Sequence, residues 1–233
     1  MPSPAGAWAG ADRVGAPPEL PTVSYQSLAQ CVEDPADWLA EGRNQLMQRS
    51  NSVHLHANGF VKITLPSTGS PIVRRLHIWH PLIAGGAADS NVHSHCWPLA
   101  STVVAGALVE ELFAATDTGD DFDEYAFHRQ SSQLRRAGRS GLRKLQALTH
   151  TQGDIYVRAS HMLHRVQPAC DRLAVSALAH PRERSAESRV FVPSAREVGP
   201  NAVPLTDDQR ELLVITLDEV EMQVRASRVR NAR

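Results

Sequence analysis

The stretch Gly86-Ala-Ala-Asp-Ser-Asn-Val-His93-Ser94-His95-Cys96-Trp97 decides how the rest of the chain is read. Side chains two apart on an extended strand point to one face. His93 and His95 can therefore offer two imidazoles to a single metal ion from one short strand. Six residues separate Gly86 from His93, and ten separate His95 from Gly106. A second glycine-to-histidine interval follows, with ten residues between Gly153 and His164. Another His-x-His pair, His54 and His56, has no third histidine at a matching interval and reads as incidental.

These intervals resemble the two signature motifs of the cupin superfamily, over residues 72 to 180 of this chain. The resemblance implies a double-stranded β-helix, or jelly-roll barrel, in which the second motif adds the last histidine ligand. The ligand set it implies is His93, His95 and His164. The usual cupin pattern has a glutamate four residues after the second histidine, where this chain has Leu99, followed by Ala100. The site so read has three neutral nitrogens and no carboxylate. Three imidazoles with open positions suit Fe(II), Zn, Ni, Mn, Co or Cu. An ion held by neutral ligands keeps its full +2 charge and favours an anionic ligand, such as a thiolate, enolate or carboxylate.

Within that superfamily the text is most similar to the cysteine dioxygenase group of thiol dioxygenases, which use three histidines and Fe(II). Gly106-Ala-Leu-Val-Glu-Glu-Leu-Phe113, Leu163-His164-Arg165-Val166 and Ala174-Val175-Ser176 carry the likeness. It departs from that group's Ser-x-His-x-Tyr series: Ser176 fits, but Leu178 and His180 stand at the other two places. The spacing after His95 is also one residue shorter than in that group. The group's substrate-carboxylate arginine lies on a strand upstream of the first motif. Lys62 holds a comparable place, with Arg74 and Arg75 as rivals.

Outward from the histidines, short extended segments recur between Gly, Pro, Ser and Asp. They cover 59–65, 72–80, 101–105, 107–113, 145–149, 154–157, 173–179 and 190–192. Many short strands at such spacing favour a barrel or sandwich over an α/β fold. The fold class expected is all-β with flanking helices. An N-terminal helix is signalled by Asp34 as N-cap and Pro35 at the first helical position, with Trp38, Leu39, Leu46 and Met47 as its buried stripe. A C-terminal helix from about 206 opens on Thr206-Asp-Asp-Gln209, a capping-box pattern, and carries Leu213, Leu217, Val220 and Val224 on one face. That stripe packs on the barrel or on a second copy in a homodimer. Residues 1–20 read as a disordered tail, 21–233 as one barrel domain, and 116–140 as a charged loop between the motif-bearing halves.

The chain has 233 residues and a formal charge of −1, which gives no electrostatic reason to expect nucleic acid or an anionic membrane as a partner. The Arg-rich stretch 225–233 reads as a solvated helix end. Cys31, Cys96 and Cys170 are odd in number and widely spaced, and form neither a disulfide framework nor a Cys-x-x-Cys pair. No apolar run reaches the length of a bilayer span, and the first residues lack the pattern of a secretory signal. A cytoplasmic protein is the simplest reading.

Candidate site residues beyond the ligands follow from strand position. Trp97 shares the face of His95 and reads as pocket wall or core. His77 and Trp79 alternate with Leu76 and Ile78, so one pair faces inward; inward, His77 becomes an acid/base candidate. His161, three residues before His164, is placed to orient that ligand or contact substrate, and His180 joins it as a catalytic candidate. Lys62, Arg75, Trp97 and Tyr156 are the substrate-binding candidates. Cys96 points away from its neighbours, and Glu110 and Glu111 fall off the ligand position. The leading expectation is a mononuclear non-haem Fe(II) dioxygenase whose small anionic substrate chelates the metal and whose co-substrate is O2. A non-oxidative metal-dependent isomerase, epimerase or lyase is the alternative. A non-catalytic small-molecule-binding barrel is the third reading.

Overall fold

The computed structural model describes residues 23–83, 90–118, 121–128, 131, 133–182, 187–194, 196 and 202–231. The expected tail at 1–20, the motif glycine Gly86, Asp120 and Arg129 lie outside the described residues. Thirteen strands and three helices are assigned among the rest. The helices α1 (Tyr25–Val32) and α2 (Ala36–Met47) come first, then the strands, then α3 (Asp207–Asn231).

The strands form two antiparallel sheets. A seven-stranded sheet holds β1 (Val53–His56), β2 (Val61–Thr64), β3 (Ile72–Trp79), β5 (Leu99–Ala105), β9 (Ile155–Arg158), β11 (Ala174–Pro181) and β13 (Ala202–Val203), in the order β13-β1-β2-β3-β11-β5-β9. Six strands close on one another in the order β10-β4-β12-β7-β8-β6. They are β4 (Val92–His93), β6 (Ala107–Thr116), β7 (Phe122–His128), β8 (Gln133–Thr151), β10 (Leu163–Pro168) and β12 (Glu187–Pro193). This is the all-β jelly-roll architecture with flanking helices that the sequence implies.

Two-residue periodicity sorts the seven-stranded sheet into two faces. Val61, Ile63, Leu76, Ile78, Val175 and Ala177 turn outward and pack in one cluster with Leu28, Trp38, Leu39, Leu46, Leu213 and Leu217 of the helices. Lys62, Arg75, His77 and Ser176 therefore share the opposite, inward face. The register aligns them in a row, His54 opposite Lys62, Lys62 opposite His77, and His77 opposite Ser176. Strands β5 and β11 are buried along their whole length because both of their faces are covered.

Glycine is required where the motif turns. Gly106, between β5 and β6, has φ +73°, and a Cβ there would meet the Leu173 carbonyl oxygen at 2.3 Å. Gly153, between β8 and β9, has φ +92°. Both motif glycines thus adopt a left-handed conformation that side chains with a Cβ disfavour.

Three expectations need correction. The segment 116–140 is not a loop: most of it is the β7–β8 hairpin, with Phe122 opposite Ser140 and Tyr125 opposite Arg136. Opposite charges pair across the strands, Arg136 with Asp123 at 2.6 Å, and the Ser140 hydroxyl donates to Glu124 at 2.9 Å. Helix α2 begins one residue later than Pro35 at its first position would require, although Asp34 still accepts from the Ala36 N–H at 3.3 Å. Met47 is 58% exposed, because it ends α2 on the side away from the sheet. The C-terminal capping box forms as read: the Thr206 N–H donates to Gln209 Oε1 at 3.0 Å, and the Gln209 N–H donates to Thr206 Oγ1 at 3.3 Å.

Candidate metal centre

His93 ends the two-residue strand β4, and His95 follows it in extended chain. Its course is fixed by backbone bonds: the Ser94 N–H donates to the Arg189 carbonyl and the His95 N–H to the Ser160 carbonyl, both at 2.9 Å. His164 lies on β10 directly opposite His93. The register thus brings together residues 71 positions apart. One ligand nitrogen from each of the three lies within 4.8 Å of the other two, and this is the only such group of three among the described residues. The rings are 4.8 to 5.0 Å apart between centroids.

Protonation is set from behind. His93 Nδ1 lies 2.9 Å from the Asn91 carbonyl, which can only accept, so the proton belongs on Nδ1 and the Nε2 lone pair is left free. His164 Nδ1 lies 2.8 Å from Glu110 Oε1, with the same consequence. His95 Nε2 and His164 Nε2 approach to 2.9 Å. Two nitrogens bound at right angles to one ion, each about 2.1 Å from it, sit about 3.0 Å apart, so the spacing fits shared coordination. Burial, and next the neighbouring His164, lower the His93 pKa to about 4. Burial holds His95 well below the usual imidazole range. His93 and His95 are therefore neutral imidazoles, the form that binds a metal.

Glu110, on β6, is the residue that sequence reading passed over. Its carboxylate is fully buried. It accepts from His164 Nδ1, from His150 Nε2 at 2.9 Å and from Arg158 Nε at 2.8 Å, with a second bond from the Arg158 terminal nitrogen. Burial pushes its pKa upward, but the hydrogen bonds from His164 and Arg158 outweigh that and bring it down to about 2. Register explains the reach. Glu110 stands opposite Val166 on β10 and Leu148 on β8, two residues from His164 and His150. It therefore meets each histidine diagonally across a strand pair. The signal available in the sequence was a glutamate two residues from Leu108, on an alternating strand whose same-side neighbour is core.

The other candidates lie at several places around the cluster. Trp97 is buried and stacks on His95 (4.4 Å between centroids) and on His180 (3.8 Å), and the Arg75 guanidinium lies 5.0 Å from its ring. His180 Nδ1 donates to the Pro181 carbonyl at 2.7 Å, which fixes the far end of that stack. His77 and Lys62 lie on the inward face, His77 against Phe60 at 4.4 Å. Burial, and then Arg75 and Lys62, hold His77 well below its ordinary range. Tyr156 stacks on His150 at 4.1 Å, and burial followed by Glu110 pushes its phenol up to about 12. His161 stands apart: it is exposed in the turn before β10, and the group hydrogen-bonded to His164 Nδ1 is Glu110. Cys96 is buried beside Trp97, Leu99 and Leu178, outside the cluster. The pair His54 and His56 sits closer to the centre than its spacing implied. The Asn58 N–H donates to His56 Nδ1 at 3.2 Å, and the Asn58 amide lies 3.4 Å from His93 Nδ1.

Fold and cluster together define a jelly-roll chain with a three-histidine candidate metal centre between its sheets. No protein-family model and no curated protein matches it. Among solved structures it is similar to an oxalate oxidase, at 13% identity and a TM-score of 0.36, over 69% of this chain and 73% of that one. It is similar to the oxalate decarboxylase of Bacillus subtilis at 16% identity and a TM-score of 0.36, over 57% of this chain and 28% of that one. A third likeness is to the 11S globulin of Wrightia tinctoria, at 12% identity and a TM-score of 0.33, over 55% and 30%. The chain thus matches under a third of the length of the decarboxylase and the globulin. Among the described residues, no helix is long and apolar enough to cross a membrane.

Proposed function

We propose that this protein is a metal-dependent oxidoreductase of cupin type, with Fe(II) held by His93, His95 and His164. In this reading it is a dioxygenase acting on a small anionic substrate that chelates the metal. The observation that carries the reading is the convergence of three imidazoles, two of them with their outward nitrogens fixed by Asn91 and Glu110. A ferrous ion there would supply Lewis acidity and open positions for substrate and O2. The protein's own residues do the rest. Lys62 and Arg75, on the inward face, receive an anionic substrate group; Tyr156 borders the same face. Trp97 and His180 hold the His95 ring in place by stacking. His77 borders the same face; burial beside the cationic Arg75 and Lys62 keeps it neutral and makes it a weak proton acceptor.

The test begins with metal analysis of protein purified without oxygen, followed by ferrous reconstitution and electron paramagnetic resonance with nitric oxide as a probe. An iron–nitric oxide signal in the wild type, lost in His164→Ala while the circular dichroism spectrum is retained, is the expected result. Oxygen uptake would then be screened with thiols, enols and amino acids. Stoichiometric metal retained in His164→Ala would sink the site assignment. Tightly bound zinc or nickel, with no signal after reconstitution, would turn the reading to a non-oxidative isomerase, epimerase or lyase. Tight metal binding without turnover would favour a binding barrel.

A further inference from the structure

The chain lacks a carboxylate where the first motif usually carries one, at Leu99, yet a buried carboxylate stands directly behind a ligand. We infer that Glu110 is a positioning residue for the metal centre, fixing His164 as a ligand by holding its Nδ1–H. This rests on the reading that the three histidines bind a metal. The geometry leaves little freedom. Glu110 Oε1 accepts from His164 Nδ1 at 2.8 Å and from Arg158 Nε at 2.8 Å, while Oε2 accepts from His150 Nε2 at 2.9 Å and from Arg158 again. An ionised carboxylate is an acceptor only, so every group facing it must present a proton. His164 is thereby confined to the tautomer whose Nε2 lone pair faces His93 and His95. Its ring is also clamped against rotation. Carboxylates in this relation to a histidine ligand raise its basicity and orient it, and removing them typically weakens metal binding tenfold to a hundredfold.

A plain structural ion pair between Glu110 and Arg158 is the rival account, and the two differ in what an amide does. In Glu110→Gln one carboxylate oxygen becomes a donor NH2. Each carboxylate oxygen receives one Arg158 donor and one imidazole, so the NH2 faces either His164 Nδ1 or His150 Nε2. In the first case it asks Nδ1 to accept, and in both the negative charge that holds the Nδ1 proton is gone. His164 is then no longer held in the Nδ1–H form and can carry its proton on Nε2, the nitrogen that would have to bind the ion. The ion-pair account expects lost stability and no such tautomer change. Arg158→Gln separates the accounts from the other side: it removes the ion pair and leaves the Glu110–His164 bond.

The experiment is competitive titration of Fe(II) and Zn(II) into wild type, Glu110→Gln and Arg158→Gln. It is paired with 15N NMR of the histidine side chains in metal-free protein, which reads the tautomer directly. The expected result is a loss of affinity of about tenfold to a hundredfold in Glu110→Gln, a His164 proton moved in whole or in part to Nε2, and affinity within a few fold of wild type in Arg158→Gln. An unchanged tautomer and affinity in Glu110→Gln would overturn the inference. So would equal losses of affinity in both variants. If Glu110→Gln fails to fold, the Arg158→Gln result decides alone, retention supporting the inference and a large loss overturning it. Failure of wild-type protein to bind either metal would defeat the metal reading itself, a result distinct from a variant effect.

Discussion

At the scale of single residues, the same side chain serves different ends according to what stands behind it. His164 and His161 are three apart, yet only His164 is buried, and only it meets a carboxylate. The metal-binding trio was legible because glycines and histidines sit at fixed intervals that a strand converts into proximity. Glu110 was not legible, because its partner is chosen by the register between β6 and β10, which no local pattern records. The glycines of the cadence are equally physical. Gly106 holds φ +73°, and a Cβ would press on the Leu173 carbonyl at 2.3 Å, a backbone atom that cannot swing aside. Gly106→Ala should therefore destabilise the protein by about 1–3 kcal/mol, the usual penalty for strained backbone. Urea unfolding monitored by tryptophan fluorescence checks this, and an unchanged midpoint would mean that the turn relaxes at no cost.

Among elements, legibility followed amphipathicity. Strands that reach the core, β3 with one face and β11 with both faces covered, showed themselves by apolar alternation or an apolar run. The β7–β8 hairpin did not. All its strand residues but Gly141 are intermediate or exposed, and pairs such as Asp123 with Arg136 and Glu124 with Arg189 link its strands to their neighbours. A polar ribbon of that kind reads as a loop because hydrophobic periodicity is silent where neither face is deeply buried. Helix α3 was legible at its start, where the Thr206–Gln209 box caps it, and along its core face. It docks on α2, with Arg43 bound to Asp218 and 3.7 Å from Glu221. Thr206→Ala removes the side-chain acceptor for the Gln209 N–H and should cost about 1 kcal/mol, the typical loss of a threonine cap. Since the helix covers the sheet, that loss should appear in the global unfolding transition. A separate early melting of α3, seen as a biphasic helical signal, would show instead that the helix is not cooperative with the barrel.

For the whole molecule, the decisive feature is how many imidazoles it keeps neutral in one interior. His56, His77 and His95 are held well below their ordinary range, each chiefly by burial, and His93 and the less enclosed His54 are brought down to about 4. In the unfolded chain each titrates near 6.5. Between pH 6.5 and 4 the unfolded state therefore binds protons that the folded state refuses, so stability present above 6.5 is lost as pH falls through that window. Each fully buried histidine contributes a slope approaching about 1.4 kcal/mol per pH unit. Several acting together would consume the roughly 5–15 kcal/mol that holds an ordinary domain folded. Glu110 works in the same direction at lower pH: with its pKa brought down to about 2, its contribution is present above its unfolded value and is lost as acid reaches the folded one. Stability should accordingly be level from pH 8 to 7, fall steeply from 6.5, and leave the chain unfolded near pH 4. A divalent metal bound to the neutral histidines should move that collapse to lower pH, since the ion and the protons compete for the same nitrogens. Urea midpoints measured at intervals from pH 8 to 4, with and without added Zn(II), test both parts. Midpoints independent of pH down to 5 would mean that the buried histidines carry their protons inside the fold, and the neutral chamber inferred here would be wrong.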